Sequence, residues 1–308
     1  MGPPLTFGLG VNANETLHSI IDKSVTAETL GLKYLWVADS PVQLYGPTVA
    51  CAVASRTSRI RIGLGLMSVL LHTPDHIVDA VTTLYNTYGD RFDLCIGVGD
   101  RRQLSRVGVR VDSIESLPLR VLEAKRKIAS HLHVAGIKAK IWLGAQGPKM
   151  LGIAKAFDGV LLNYSKPEMI RWAIRETGLR RRGRSMIGTY FPSYVYLKPH
   201  PRILRLAKVS SAVVALGATN AVLGKFGLYE KLRKVRQMAE QSSTVEAILS
   251  EVPDQVVRDF SITMKATNLP FYLAQLRHLG VNHAVFAYPQ NHSVETVKEL
   301  GKALDLAT

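Results

Sequence analysis

The hydrophobic positions of this chain fall into short runs separated by segments of helical spacing. Residues 5–11 form a first strand, and the polar stretch 12–15 leads into a helix that runs to about Leu30 and stops at Gly31. Residues 34–38 are a second strand, closed by Asp39, Ser40 and Pro41 and followed by an apolar helix over 48–55. A third strand spans 60–66, and Pro74 opens a helix that reaches Tyr88. Residues 92–98 make a fourth strand whose end, Gly97 to Asp100, combines glycines with a carboxylate. A longer helix over 117–132 precedes a fifth strand at Ile141, Trp142 and Leu143, and residues 158–163 give a sixth.

After a helix at 167–181, residues 187–197 read as a seventh strand with tyrosines alternating at 190, 194 and 196. There the rhythm breaks. From Pro199 to about Ser261 the composition is almost wholly helical, and a further helix covers 269–279. An eighth strand at 283–288 and a helix at 294–304 complete the pattern. Strands alternating with helices predict a parallel α/β architecture, and eight such pairs predict a (β/α)8 TIM barrel. The expectation is one domain over 1–308, with a helical insertion at about 199–265, before the eighth strand, capping the C-terminal face of the barrel.

In such a barrel, candidates for chemistry lie at strand C-termini. These are Asn12, Asp39, Ser40, Gly65 to Ser68, Asp100, Gln146 to Lys149, Asn163 and Tyr288. The segment 140–163 packs a strand, a glycine turn, a helix start and another strand into 24 residues. Its Gly144, Ala145, Gln146 and Gly147 admit close backbone approach. Pro148 suits the first helical position, so free N–H groups would face an anion with Lys149 beside them. A tight turn without ligand is the plainer alternative. Asp39 and Asp100 follow strands two and four; together they would hold or exchange a proton, and separately each would cap the helix that follows.

Composition narrows the classes further. The chain has 308 residues and a formal net charge of +15, which favours acidic partners of some kind. The densest basic cluster is Arg171, Arg175, Arg180, Arg181, Arg182 and Arg184. Aromatics do not interleave with these arginines as in a base-stacking platform, so the expectation is a solvated basic face and no nucleic acid. No apolar stretch reaches the ~18–20 residues of a membrane span. The start lacks a basic and then apolar leader, and Cys51 and Cys95 each lie in an apolar segment. A cytoplasmic protein with reduced core thiols is expected.

Several motifs are missing. His72 and His76 are four apart but lack the His-Glu-x-x-His pattern, so no metal is expected and a hydrogen-bonding or solvent-facing role is assigned to them. Neither Gly63-Leu-Gly65 nor Gly97-Val-Gly99 completes a dinucleotide fingerprint. A Gly-x-Ser-x-Gly elbow and a phosphate-binding Gly-Lys-Ser/Thr loop are also lacking.

Four pieces in order carry a family resemblance: Ala27-Glu-Thr-Leu-Gly31 with Leu35-Trp-Val-Ala-Asp39; Thr57-Ser-Arg-Ile-Arg-Ile-Gly-Leu-Gly65; Ile96-Gly-Val-Gly-Asp100; and Gly144-Ala-Gln-Gly-Pro-Lys-Met150. With them the chain resembles the bacterial-luciferase-like superfamily, and within it the deazaflavin-dependent archaeal methylenetetrahydromethanopterin reductases. The likeness runs over about 7–163 and returns over about 276–304. It implies a luciferase-like TIM barrel binding coenzyme F420, an 8-hydroxy-5-deazaflavin, with FMN as the alternative. It also implies a non-prolyl cis peptide at Gly65-Leu66 in a bulge behind the ring. The cofactor wall would comprise Ser40, Gly65, Leu66, Gly97, Gly99, Ala145, Gln146, Gly147, Pro148, Lys149 and Asn163, with Asp39 and Asp100 catalytic.

The implied activity is hydride transfer to an organic acceptor, a small molecule of the methylenetetrahydromethanopterin type. An FMN-dependent monooxygenase and a cofactor-binding homologue without catalysis are the alternatives. By analogy with relatives the chain forms a homo-oligomer. Departures are specific. Where these reductases read Phe-Gly-x-Glu on the first strand, this chain has Phe7-Gly-Leu-Gly10; Ser40 replaces a frequent histidine; and Ala266-Thr-Asn-Leu-Pro270 replaces a Gly-Ser/Thr-Pro-Glu turn.

Overall fold

The computed structural model describes residues 4–111, 113–179, 185–241 and 244–307. Of the basic cluster, Arg180, Arg181, Arg182 and Arg184 lie outside the described residues. The chain opens with β1 (Thr6–Val11), α1 (Leu17–Thr29), β2 (Tyr34–Val37), α2 (Gly46–Ala54), β3 (Arg61–Ser68), α3 (Pro74–Tyr88) and β4 (Phe92–Gly97). It continues through α4 (Arg101–Arg106), α5 (Leu117–Val134), β5 (Ile141–Ala145), α6 (Pro148–Leu151), β6 (Gly159–Leu162), α7 (Pro167–Thr177) and β7 (Met186–Tyr196). The insertion contains α8 (Pro201–Gly217), α9 (Asn220–Lys225), α10 (Tyr229–Glu240), α11 (Val245–Glu251) and α12 (Asp254–Phe260). Then come β8 (Ile262–Lys265), α13 (Leu269–Leu279), β9 (His283–Ala287) and α14 (Val294–Asp305).

Strands β1 to β7 and β9 close into a parallel ring, with β9 between β7 and β1 and β6 paired to β7. The TIM barrel is thus formed as the alternation predicts. One strand falls where helix was expected: β8 pairs in parallel with the distal half of β7, Ser193 opposite Ile262. β7 is eleven residues long and outgrows the ring, so its free upper edge accepts this short strand. Of the two cysteines, Cys95 is buried but Cys51 is exposed on α2, which corrects the expectation of two core thiols.

The register sorts inward side chains into layers of four from alternate strands. One layer holds Gly8, Gly63, Trp142 and Gly188, and the next holds Trp36, Cys95, Leu161 and Val285. Above them stand Gly10, Gly65, Gly144 and Tyr190, and then Ala38, Gly97, Asn163 and Ala287. Large rings and absent side chains interlock: a Cβ on Gly63 would lie 2.6 Å from Trp36 Cδ2, and one on Gly159 would lie 2.5 Å from Trp142 Cε3. The two indoles meet edge to face, 5.6 Å between centroids. The N-terminal end is closed by polar groups, with Asp93 fully buried, 2.9 Å from the Arg61 guanidinium and accepting from Lys140 N.

His283 sits at the centre of this core with no exposure. Its Nε2 accepts from Trp36 Nε1 at 2.9 Å, so its proton sits on Nδ1, 2.9 Å from Thr6 Oγ1, which in turn donates to Asn282 O. Burial holds the imidazole pKa down at about 3 from an ordinary 6.5. The unfolded chain therefore binds this proton at a higher pH than the native one. The contribution is fully present above pH 6.5 and is lost progressively as pH falls toward 3. In urea denaturation across that window, His283→Gln is expected to show a shallower loss of stability with acid than the wild type; parallel curves would contradict this.

Candidate active site

At the C-terminal mouth the interior changes character. The layers below are fully buried, whereas Ala38, Leu66, Gly144, Asn163 and Tyr190 are half-buried. Leu66 follows a register shift between β3 and β4, and the Gly65-Leu66 peptide is cis. Its side chain lies across β4 and β5: a Cβ on Gly97 would come within 2.8 Å of Leu66 Cδ1, and the space before Gly144 is filled by the same methyl. Those glycines are therefore needed to seat Leu66. Gly65 itself is tight against Cys95, whose Cβ would be 2.5 Å away. From the opposite wall Tyr190 lies over Gly10, where a Cβ would be 2.6 Å from the ring's Cζ. Leu66 and Tyr190 together floor the mouth.

The other sequence candidates divide by what they touch. Gln146 is half-buried; its backbone oxygen accepts from Tyr164 Oη at 2.6 Å, and its side-chain Nε2 is buried without a partner among the described residues. Asn163 and Ser40 are half-buried on the rim. Gly99 has φ +87, a backbone that only glycine adopts freely, and lies 3.1 Å from Ser68 by the same Cβ test. Ala145 belongs elsewhere, because strand alternation turns its side chain outward into the helix-facing core. Gly147 is backed by Thr219 of the insertion, 3.1 Å from the ideal Cβ.

Two expectations need correction. Pro148 opens a helix of only four residues, and exposed Lys149 pairs with Glu115, so the imagined cationic helix start is a single turn with its lysine already engaged. Nor do Asp39 and Asp100 form a pair. Asp39 Oδ1 accepts from Gly46 N at 3.1 Å and Oδ2 lies 2.6 Å from His72 Nε2. Asp100 is exposed and caps α4 through Arg102 N at 2.9 Å. His72 thus has the hydrogen-bonding role expected of it, and its partner, Asp39, brings it to the candidate site. Its signal was its place just beyond β3; no metal pattern was needed. Tyr190 was visible only as part of an aromatic alternation.

Neutrality marks the floor. Burial, and then the neighbouring Cys95, push the Tyr190 phenol pKa upward, and burial pushes up the Cys95 thiol. The nearby carboxylate Glu15 pairs with buried Lys23, which also donates to Asn291 O at 2.8 Å. Asn291 Nδ2 in turn donates to Gly10 O at 2.6 Å, fixing the backbone beneath Tyr190.

A parallel eight-stranded barrel with a bulged third strand and a small-residue mouth at its C-terminal face defines a (β/α)8 barrel. The model of the luciferase-like monooxygenase family matches residues 4–268, and the chain belongs to that family. Among curated relatives, the 5,10-methylenetetrahydromethanopterin reductase of Archaeoglobus fulgidus is 25% identical, covering 85% of this chain and 87% of that protein. The solved coenzyme F420-dependent tetrahydromethanopterin reductase of Methanopyrus kandleri superposes with TM-score 0.88 at 19% identity, covering 99% of this chain and all of the other. An F420-dependent secondary alcohol dehydrogenase superposes with TM-score 0.78 at 12% identity, covering 99% of each.

The Tyr190 and Gly10 contact is open to a double-mutant cycle. Gly10→Ala is expected to cost about 1–3 kcal/mol in chemical denaturation, because the new methyl meets the phenol ring. In a Tyr190→Ala background most of that cost should vanish, a coupling above ~0.5 kcal/mol. Additive effects would show that the ring moves aside freely.

Proposed function

We propose that this chain is an oxidoreductase that binds reduced coenzyme F420 at the barrel mouth and uses it to reduce an organic acceptor. The observation that carries the reading is the upper interior layer of Ala38, Gly97, Asn163 and Ala287 over the Leu66 and Tyr190 floor. Barrel layers are ordinarily filled by branched side chains, and small residues there leave a flat space. The residues present suit a planar polar ring: Leu66 offers an apolar face, while the unpartnered Gln146 Nε2 and the rim amide of Asn163 offer hydrogen bonds. Bound there, the deazaflavin would supply the hydride chemistry, and the protein orients it and limits water.

Of the residues proposed for the cofactor, Leu66, Gln146 and Asn163 would contact the ring, with Ser40 and Gly99 on the rim. Gly65, Gly97 and the backbone at Ala145, Gly147 and Pro148 shape the wall. Lys149 would meet an acidic tail only by leaving Glu115. Asp39 acts through His72, holding its imidazole at the mouth. The named relatives support a methylene-pterin or a small carbonyl compound as the first acceptors to test. FMN in the same space, with monooxygenase chemistry, is the rival favoured by the family's name.

Fluorescence titration with oxidised F420, and separately with FMN, tests the reading. Tighter binding of F420, weakening as salt screens its acidic tail, is expected; preference for FMN would favour the rival, and binding of neither would remove both. Gln146→Leu sharpens the test. Losing one donor should weaken F420 binding about tenfold, roughly 1.4 kcal/mol. Stability of the free protein should be unchanged or raised, because an unpaired buried donor is gone.

A further inference from the structure

Resting on the F420 reading, we propose that Tyr190 is a substrate-facing hydrogen-bond donor of this enzyme, and that the hydride acceptor it serves is a neutral carbonyl compound. Position 10 is glycine, and the volume into which its side chain would project is filled by the Tyr190 ring. A glutamate at position 10 would have to displace that ring. The phenol is half-buried, flanked by Cys95, Leu66 and Val285, and its hydroxyl has no hydrogen-bond partner among the described residues. The residue keeps partial exposure above fully buried layers.

Charge decides the acceptor class. Asp39 is held by His72 and Gly46 N, Glu15 by Lys23, and Asp100 is turned to solvent at the cap of α4. Asp39 spends both carboxylate oxygens on His72 and Gly46 N, and Glu15 spends one on Lys23 while its other is buried without a partner, so a cationic iminium carbon desolvated above this floor would compete with these groups for its counter-charge. A carbonyl oxygen brings a lone pair to the unpartnered Tyr190 O–H. On reduction the carbon takes a hydride from the reduced deazaflavin and the π pair moves to the oxygen. The Tyr190 proton passes to that oxygen along the hydrogen bond, giving an alcohol, and the phenolate recovers a proton from water at the mouth. A neutral phenol held so by burial is suited to donate only as negative charge builds.

Tyr190→Phe keeps the ring that packs on Gly10 and removes only the hydroxyl. The variant should bind oxidised F420 with unchanged affinity. In its F420 complex the affinity for isobutyramide, a carbonyl compound that is not reduced, should fall about tenfold. Turnover of aliphatic ketones and aldehydes with reduced F420 should fall about 100-fold in kcat. Wild-type affinity for isobutyramide and wild-type turnover in Tyr190→Phe overturn the assignment of Tyr190 while leaving the cofactor reading intact. Reduction of a methylene-pterin without any carbonyl reduction overturns the acceptor class. Failure of the wild type to bind F420 overturns the cofactor reading and this proposal with it.

Discussion

Closing eight strands into a ring encloses a volume that side chains must fill to crystal-like density, and here it is filled by aromatic rings set against missing side chains. Trp36 occupies the space before Gly63, Trp142 that before Gly159, and Tyr190 that before Gly10. No such position tolerates an added methyl without moving an indole or a phenol. The exchange spans strands distant in sequence, so closure of the ring and seating of the rings are one event. His283 ties it to the N-terminal end, where its two nitrogens reach Trp36 and Thr6. Because the two indoles lean down toward the N-terminal end while Tyr190 lies level with Gly10, the packing ends at a definite surface, and that surface is the floor of the mouth.

The mouth inherits its chemistry from this filling. Leu66 and Tyr190 are both large residues admitted by glycines on other strands, and they leave the layer above them to alanine, glycine and one asparagine. A different arrangement, with branched residues in the glycine positions, would fill the barrel to its rim and leave no recess. Polar groups then enter only from strand ends and loops. Gln146 and Asn163 come from β5 and β6, and the Asp39 and His72 pair joins the loops after β2 and β3. The site is therefore apolar and neutral at its base and polar at its rim.

Much of this could be read from residues in order. All eight ring strands follow from apolar runs bounded by turn residues, and the helix beginning at Pro74 and ending at Tyr88 keeps its expected limits. The bulge at Gly65-Leu66 was reached through resemblance, since nothing in local spacing announces it. What stayed hidden depends on partners far along the chain. Gly10 meets Tyr190 across 180 positions, and Asp39 meets His72 across 33. The strand at Ile262–Lys265 exists because β7 is longer than the ring requires, a fact about its neighbour. The one-turn α6 gave way to a 3-10 helix at Ala154–Ala156, which local propensity does not foretell.

The insertion shows why the two halves of the mouth differ in how well sequence describes them. It is bound to the barrel on this side by polar links: Ser165 Oγ donates to Asp259 O, and Lys166 lies 2.8 Å from the buried Asp259 carboxylate. Phe226, just past α9, stacks edge-on against Trp172 of α7, and Thr219 backs Gly147. All these contacts fall on the β5 to β7 side. The wall from β1 to β4 is set by the ring itself, where each glycine answers to an aromatic or a methyl, so its motifs are held to strict spacing. The opposing wall is set by helices docked from outside, where many sequences pack equally well. A family likeness carried by the ring, from β1 to the turn at Gly144 to Met150, can thus persist while the helices docked on it change, and Gly10 beneath Tyr190 is where the two walls touch.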